Sequence, residues 1–290
     1  VHDNTTFTAH YDGVQKNVKL IHADATVDYY ETVSAAVNAS TAGETVMLLK
    51  DRTEMTIQIV QDKDLTLDLN GKKITSTNGI AIDNSGTIRI TGNGTVSAAS
   101  FGAAISNSGT IETISDGTFI GAENAGAGLL IAQGSKVGTI SGGTFQGQYG
   151  ITVAGTLDTI SNAALTGTSN GLYVVNGGTV NTISGGTFTG SSTGLYVDGG
   201  TVNTISGGTF TGGSIGLSVS NTGTVKTISG GTFVSTGAGG FAVKSSSGTA
   251  IEFAASGSPD SGNYNGPLFK SAAGTRAGTV DSPDSAKFTY

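Results

Sequence analysis

The chain has 290 residues, 47 of them glycine and none cysteine or tryptophan, with 12% charged residues and a net charge of −7. The lack of cysteine excludes disulfides, thiol catalysis and thiolate-held metals together, and the acidic balance argues against nucleic acid or an anionic membrane surface as partner. Hydrophobic residues, at 36%, are too many for a disordered chain, and no run of about 18 apolar residues is present to span a bilayer.

The chain opens on Val1 without a signal peptide, as a mature form or an excised piece of a longer protein would. Segment 31–40 (ETVSAAVNAS) sets Val33, Ala36 and Val37 on one helical face, with Thr32 or the residues just before it as N-cap. Segments 44–50, 56–60 and 65–69 read as strands, and Asn70-Gly71 as a turn. A short amphipathic helix before a strand-rich region is expected to cap an open end of that region.

A 13-residue phrase then recurs. It reads GTVNTISGGTFTG at 178–190 and again at 200–212, with looser copies beginning at Gly109, Ser135, Gly155 and Gly223. Its central isoleucines are Ile114, Ile140, Ile160, Ile183, Ile205 and Ile228, at steps of 26, 20, 23, 22 and 23 residues. A period in this range marks a solenoid. Apolar residues alternate with Thr and Ser over short runs, and Gly pairs interrupt them, which is a strand pattern with corners. The prediction is an all-β, right-handed parallel β-helix of about 22–23 residues per coil, with coils stacked at roughly 4.8 Å.

On this register the isoleucines form one buried column and Phe119, Phe145, Phe188, Phe210 and Phe233 a second. Thr113, Thr139, Thr159, Thr182, Thr204 and Thr227 form an outward ladder, and Asn84, Asn107, Asn176, Asp198 and Asn221 a corner column. The repeat fades after Phe253, and all three prolines, Pro259, Pro267 and Pro283, lie beyond it. The division expected is 1–43 for an N-terminal extension and cap, 44–253 for the β-helix and 254–290 for a distal cap or linker.

The stretch YYETVSAAVNAS, GETVMLLKD and LTLDLNGKKIT, followed by GTISGGTF-type repeats, resembles the β-helix regions of large surface proteins of Firmicutes, which are pectate-lyase-like in fold. The resemblance spans about 27–243. It implies an extracellular protein, secreted or attached to the cell wall, of adhesin type, with a glycan or a host surface protein as partner. It also implies a monomer or a part of a larger multidomain chain.

The same fold hosts polysaccharide lyases and glycoside hydrolases, so catalytic groups were sought directly. Only Glu112, Asp116, Glu123, Asp158 and Asp198 carry carboxylates between residues 90 and 250, and the three histidines, His2, His10 and His22, all precede the repeats. No acid cluster has calcium-loop spacing, and no His-based triad or zinc site fits inside the repeats. Glu112 and Asp158 hold equivalent positions two coils apart, about 9.6 Å by strand spacing, at the edge of an inverting glycosidase pair. Gly138, Asn181, Asn203 and Lys226 share their column, which favours a solvated wall. No catalytic residue, metal ligand or cofactor is therefore assigned. Flat Thr-x-Thr faces suggest ice binding as a further alternative, but only 187–189 and 209–211 fit.

The candidate ligand-binding residues are aromatic. The GLYV segments place Tyr173 and Tyr196 in one outward column on successive coils, with Asp198 and Asn176 at the adjacent corner. Outward rings on a polar wall suit a sugar face or a partner's apolar patch. The expected function is a non-catalytic stalk or adhesin module, and the alternative a polysaccharide lyase or glycoside hydrolase.

Overall fold

The computed structural model describes residues 15–238 and 240–245, and the backbone alone of Ala250–Phe253, Leu268–Ser271 and Gly274–Ala277. Most of the expected 254–290 tail lies outside the described residues, as do His2 and His10.

The chain winds into a parallel β-solenoid of about nine turns. Each turn lays down three strand segments. The first face runs from Glu44–Leu48 to Thr224–Ile228, each strand pairing in parallel with its counterpart one turn on. The second face runs from Arg52–Glu54 to Thr232–Ser235, and the third from Ile57–Ile59 to Phe241–Ser245. In Thr144–Val153 and Ala164–Val174 the second and third faces join as continuous strands of 10 and 11 residues.

Stacking of like on like follows from the register. Ile114, Ile140, Ile160, Ile183, Ile205 and Ile228 pair in series and are fully buried. Phe119, Phe145, Phe188, Phe210 and Phe233 are buried as well. The rings of Phe119 and Phe145 stack at 4.9 Å between centroids, those of Phe188 and Phe210 at 4.6 Å, and those of Phe210 and Phe233 at 4.9 Å. Leu165 takes the intervening place and splits the aromatic column in two. These columns belong to one continuous core, filled from the third face by residues such as Leu172, Leu195 and Leu217.

Two register details differ from the sequence pattern. The first face does not alternate strictly. In Thr87–Thr91 the inward residues Ile88 and Ile90 are two apart, whereas in Thr110–Ile114 the inward Ile111 and Ile114 are three apart. A bulge between Ile111 and Thr113 inserts one residue, and every later repeat copies the insertion, so the pairing stays in step. Each of these turns thus shows two outward side chains side by side.

The corner column is the second difference, and a correction. Asn84 and Asn107 are wholly buried and share the inward column of Ile59, Ile131 and Val153. Asn84 Nδ2 donates to Asn107 Oδ1 at 2.7 Å and to the carbonyls of Gly86 and Thr110 at 3.2 Å. Asn107 Nδ2 in turn donates to the carbonyls of Gly109 and Lys136. An amide facing inward at a corner gives the Gly86 and Gly109 carbonyls, which already accept from Thr110 N and Lys136 N, a second donor.

The passage from second to third face is tight. A Cβ at Gly190 would lie 2.1 Å from the Thr193 carbonyl oxygen, and one at Gly212 1.9 Å from that of Ile215. Only glycine fits at those corners.

The N-terminal end is closed by a hairpin and a helix. Val18–Ile21 pairs antiparallel with Val27–Tyr30 and with Glu44–Leu48. The helix, Val33–Ala39, is shorter at both ends than 31–40 and buries Val33, Ala36 and Val37 against the core. Thr32 caps it by accepting from Ala35 N at 3.1 Å. The buried carboxylate of Glu54 accepts from Val33 N at 2.7 Å and Ser34 N at 3.1 Å, and Lys63 Nζ donates to the carbonyls of Asn38 and Ser40. Negative charge at the N-terminus and positive charge at the C-terminus complement the helix dipole.

Candidate functional site

The outward column of the third face carries Gln58, Asp83, Ser106, Leu130, Thr152, Tyr173, Tyr196, Ser218 and Lys244 in register. Tyr173 and Tyr196 are brought together as neighbours, half-buried, with centroids 5.2 Å apart and planes inclined by 13°. A third ring joins them. Tyr149, from the turn before, packs on Tyr173 with centroids 5.0 Å apart and planes inclined by 31°. It lies three residues from Thr152, the register partner of Tyr173, and the QYG sequence around it lacks the GLYV frame that marked the other two.

The stack occupies both sides of Tyr173. Its hydroxyl donates to Asp198 Oδ2 at 3.1 Å, and burial together with that carboxylate pushes its pKa up to about 12. Ser220 Oγ donates to Asp198 Oδ1 and shares a hydrogen bond with the Tyr196 hydroxyl, both at 3.0 Å, and Asn221 Nδ2 also donates to Asp198 Oδ1. Asp198 is thus the node that ties the tyrosines to the corner. Asn176 is exposed at that corner, two turns before Asn221, with Gly199 between them.

At its lower end the stack opens on a pocket of about 280 Å³, lined by Ile80, Phe101, Ala103, Leu130, Tyr149 and Thr152 among others. Phe101 is 76% exposed. Neither the pocket nor Phe101 follows from the repeat, because both depend on the long corners 98–104 and 121–126, which the next turns replace with the continuous strands Thr144–Val153 and Ala164–Val174.

The two carboxylates weighed as a catalytic pair stand on the first face, each in a ladder of its own. Arg89 bridges Asp64 and Glu112, at 2.7 Å to each. Lys136 Nζ lies 2.7 Å from Asp158 Oδ2, Asn181 Nδ2 donates to Asp158 Oδ1 at 2.8 Å, and Asn203 Nδ2 donates to Asn181 Oδ1 at 2.7 Å. The Lys136 ammonium holds the Asp158 carboxyl below its ordinary value, with help from Asn181 against the opposing effect of burial. A general acid needs the opposite shift. The bulge explains the arrangement, since it sets Glu112 and Asp158 beside the threonine ladder and within reach of long cations one turn away.

Residues 123–252 match a family model described as Periplasmic copper-binding protein (NosD). That family is a right-handed β-helix family of pectate-lyase-like fold, and the match covers less than half of the chain. No curated protein and no solved structure matches the chain.

Proposed function

We propose that this chain is a non-catalytic extracellular stalk or adhesin-type module of a bacterial surface protein, and that its third face binds a glycan. The observation that carries the reading is the state of the wall's ionisable groups. Glu112 and Asp158 are each held in an ion pair with a basic residue of a neighbouring turn, and Asp198 is held by Tyr173, Ser220 and Asn221. Groups paired in this way stiffen a wall, whereas a hydrolase or lyase needs acids that converge on an open groove. The tyrosine stack is the aromatic surface the wall offers. The matched family's periplasmic description supports a place outside the cytoplasm. No helix among the described residues is long and apolar enough to cross a membrane.

The copper in that family's description does not fit the matched segment here. Residues 123–252 contain no histidine, cysteine or methionine, the side chains that supply copper's imidazole, thiolate and thioether ligands. Among the described residues no group of three or more His, Cys, Asp or Glu is placed to hold a metal.

The test is binding to glycan and mucin arrays alongside a panel of host surface proteins. A Tyr173→Ala/Tyr196→Ala variant should lose at least about tenfold in affinity, equivalent to about 1.4 kcal/mol. It should keep its β-sheet spectrum, because neither ring belongs to the core. Unchanged binding by the folded variant would remove the tyrosine stack from the site, and preference for a host protein over every glycan would replace the ligand class.

A further inference from the structure

We infer that the pocket below the tyrosine stack is a subsite for one neutral sugar ring; this rests on the glycan-binding reading above and places its centre one turn lower. The pocket has a structural cause. Tyr149 faces Ala127 across the turn, and Gly102, Ala103, Ala125 and Gly126 complete the corner. The column of Ala127 and Tyr149 continues with Asn170, Thr193 and Ile215, and here five small residues leave about 280 Å³ beside a ring. That volume sits just under the range of about 300–1,000 Å³ for small-molecule pockets, room for one ring and not for a long ligand.

The lining sets the chemistry. Tyr149 is packed on Tyr173 from one side, and it lines the pocket together with the exposed ring of Phe101. Leu130 makes an apolar floor. Thr152, which follows it in the same column, adds a hydroxyl side chain to the lining beside the Tyr149 phenol. No charged side chain lines the pocket. An apolar floor between aromatic rings, edged by hydroxyls and without charge, is complementary to a ring with one C–H face and peripheral hydroxyls. It gives a uronate or sulfated sugar no cation to pair with.

A protein partner fits the surroundings less well. A stable protein interface buries about 1,200–2,000 Å² in total, with an apolar centre. Among the described residues the exposed large hydrophobics are Val27, Met55, Val60 and Phe101, and the column above the stack continues with Ser218 and Lys244. The apolar surface is therefore local to the pocket, as a single-ring subsite requires.

The experiment is saturation-transfer NMR on the full chain. The probes are the methyl glycosides of the neutral hexoses and N-acetylhexosamines, their linear oligomers, and tryptophanamide as a mimic of a protein side chain. The wild type should saturate the ring C–H protons of at least one sugar. Phe101→Ala should weaken that binding tenfold or more, and Thr152→Arg, which plugs the pocket from the wall, should abolish it. Both positions lie outside the core, and thermal melting close to the wild type should confirm that both variants are folded. Sugar binding that is equal in wild type and both folded variants would overturn the pocket assignment while leaving the glycan-binding wall standing. Tryptophanamide bound in preference to every sugar, and lost in the same variants, would overturn the sugar assignment. A wild type that binds no neutral saccharide, monomer or oligomer, would overturn this inference, and binding to no glycan on the arrays would overturn the wider reading.

Discussion

His22 sits between two carboxylates at the N-terminal end, with Nδ1 2.6 Å from Glu44 Oε1 and Nε2 3.1 Å from Asp28 Oδ2. The hydrogen bond to Glu44, then that to Asp28, raises its pKa above 6.5. Burial pushes the Glu44 carboxyl up, but hydrogen bonds from Thr41 and His22 outweigh it and hold the group below 4.5. A histidine whose folded pKa is raised stabilises the fold fully below 6.5, and that stabilisation is lost as pH rises through the folded value. Glu44 is the reverse: its contribution is complete above 4.5 and is lost as pH falls through the folded value. The end cap should therefore be most stable between about pH 4.5 and 6.5. Melting curves of wild type and His22→Gln should differ most in that interval and converge above neutral pH. A difference that grows with rising pH would contradict the pairing. Asn84 and Asn107 show what a sequence hides at this scale. Both sit in an NSGTI phrase that marks a corner, but polarity alone placed them outside. Their burial follows from the carbonyls they satisfy, which belong to other parts of the chain.

At the scale of the strand, the repeated phrase made the register legible. Each inward Ile and Phe recurs at one offset, and a slip of one residue would turn the whole column to solvent. The bulge on the first face was only half legible, because TVNTI sets two polar residues between Val and Ile but only the pairing shows the residue inserted there. The helix was visible in Val33, Ala36 and Val37, but Glu54, which closes its N-terminus, is 21 residues from Val33. Phe210 has a ring stacked on each side, and Phe210→Ala should cost about 3–5 kcal/mol. Ile205→Asp would place an unpaired carboxylate in the core and should cost more. In a solenoid each turn contacts only its neighbours, so the damage should be local. Hydrogen exchange of Ile205→Asp should show lost protection in the strands of 179–228 first, with the hairpin and helix end retaining theirs. Uniform loss from end to end would show that the chain unfolds as a single unit.

Over the whole molecule, the solenoid makes long walls out of short repeated phrases. Of the candidate site, the Tyr173–Tyr196 pairing was legible because GLYV repeats. Tyr149 and Phe101 were not, since Tyr149 stands in a continuous strand outside the GLYV frame and Phe101 in the longer corner 98–104. The rigid spacing that aligns the rings also aligns the ionisable groups, and those form Asp64–Arg89–Glu112 and Lys136–Asp158–Asn181–Asn203 ladders. The central claim is that this wall binds and does not cleave. Its most direct test is the release of new reducing ends or unsaturated uronates when the chain is incubated with pectin, polygalacturonate and common neutral glycans, measured beside Glu112→Gln and Asp158→Asn. The account predicts no release above the protein-free control for any of the three proteins. Turnover by the wild type that disappears in both variants would contradict it and make the two carboxylates a catalytic pair.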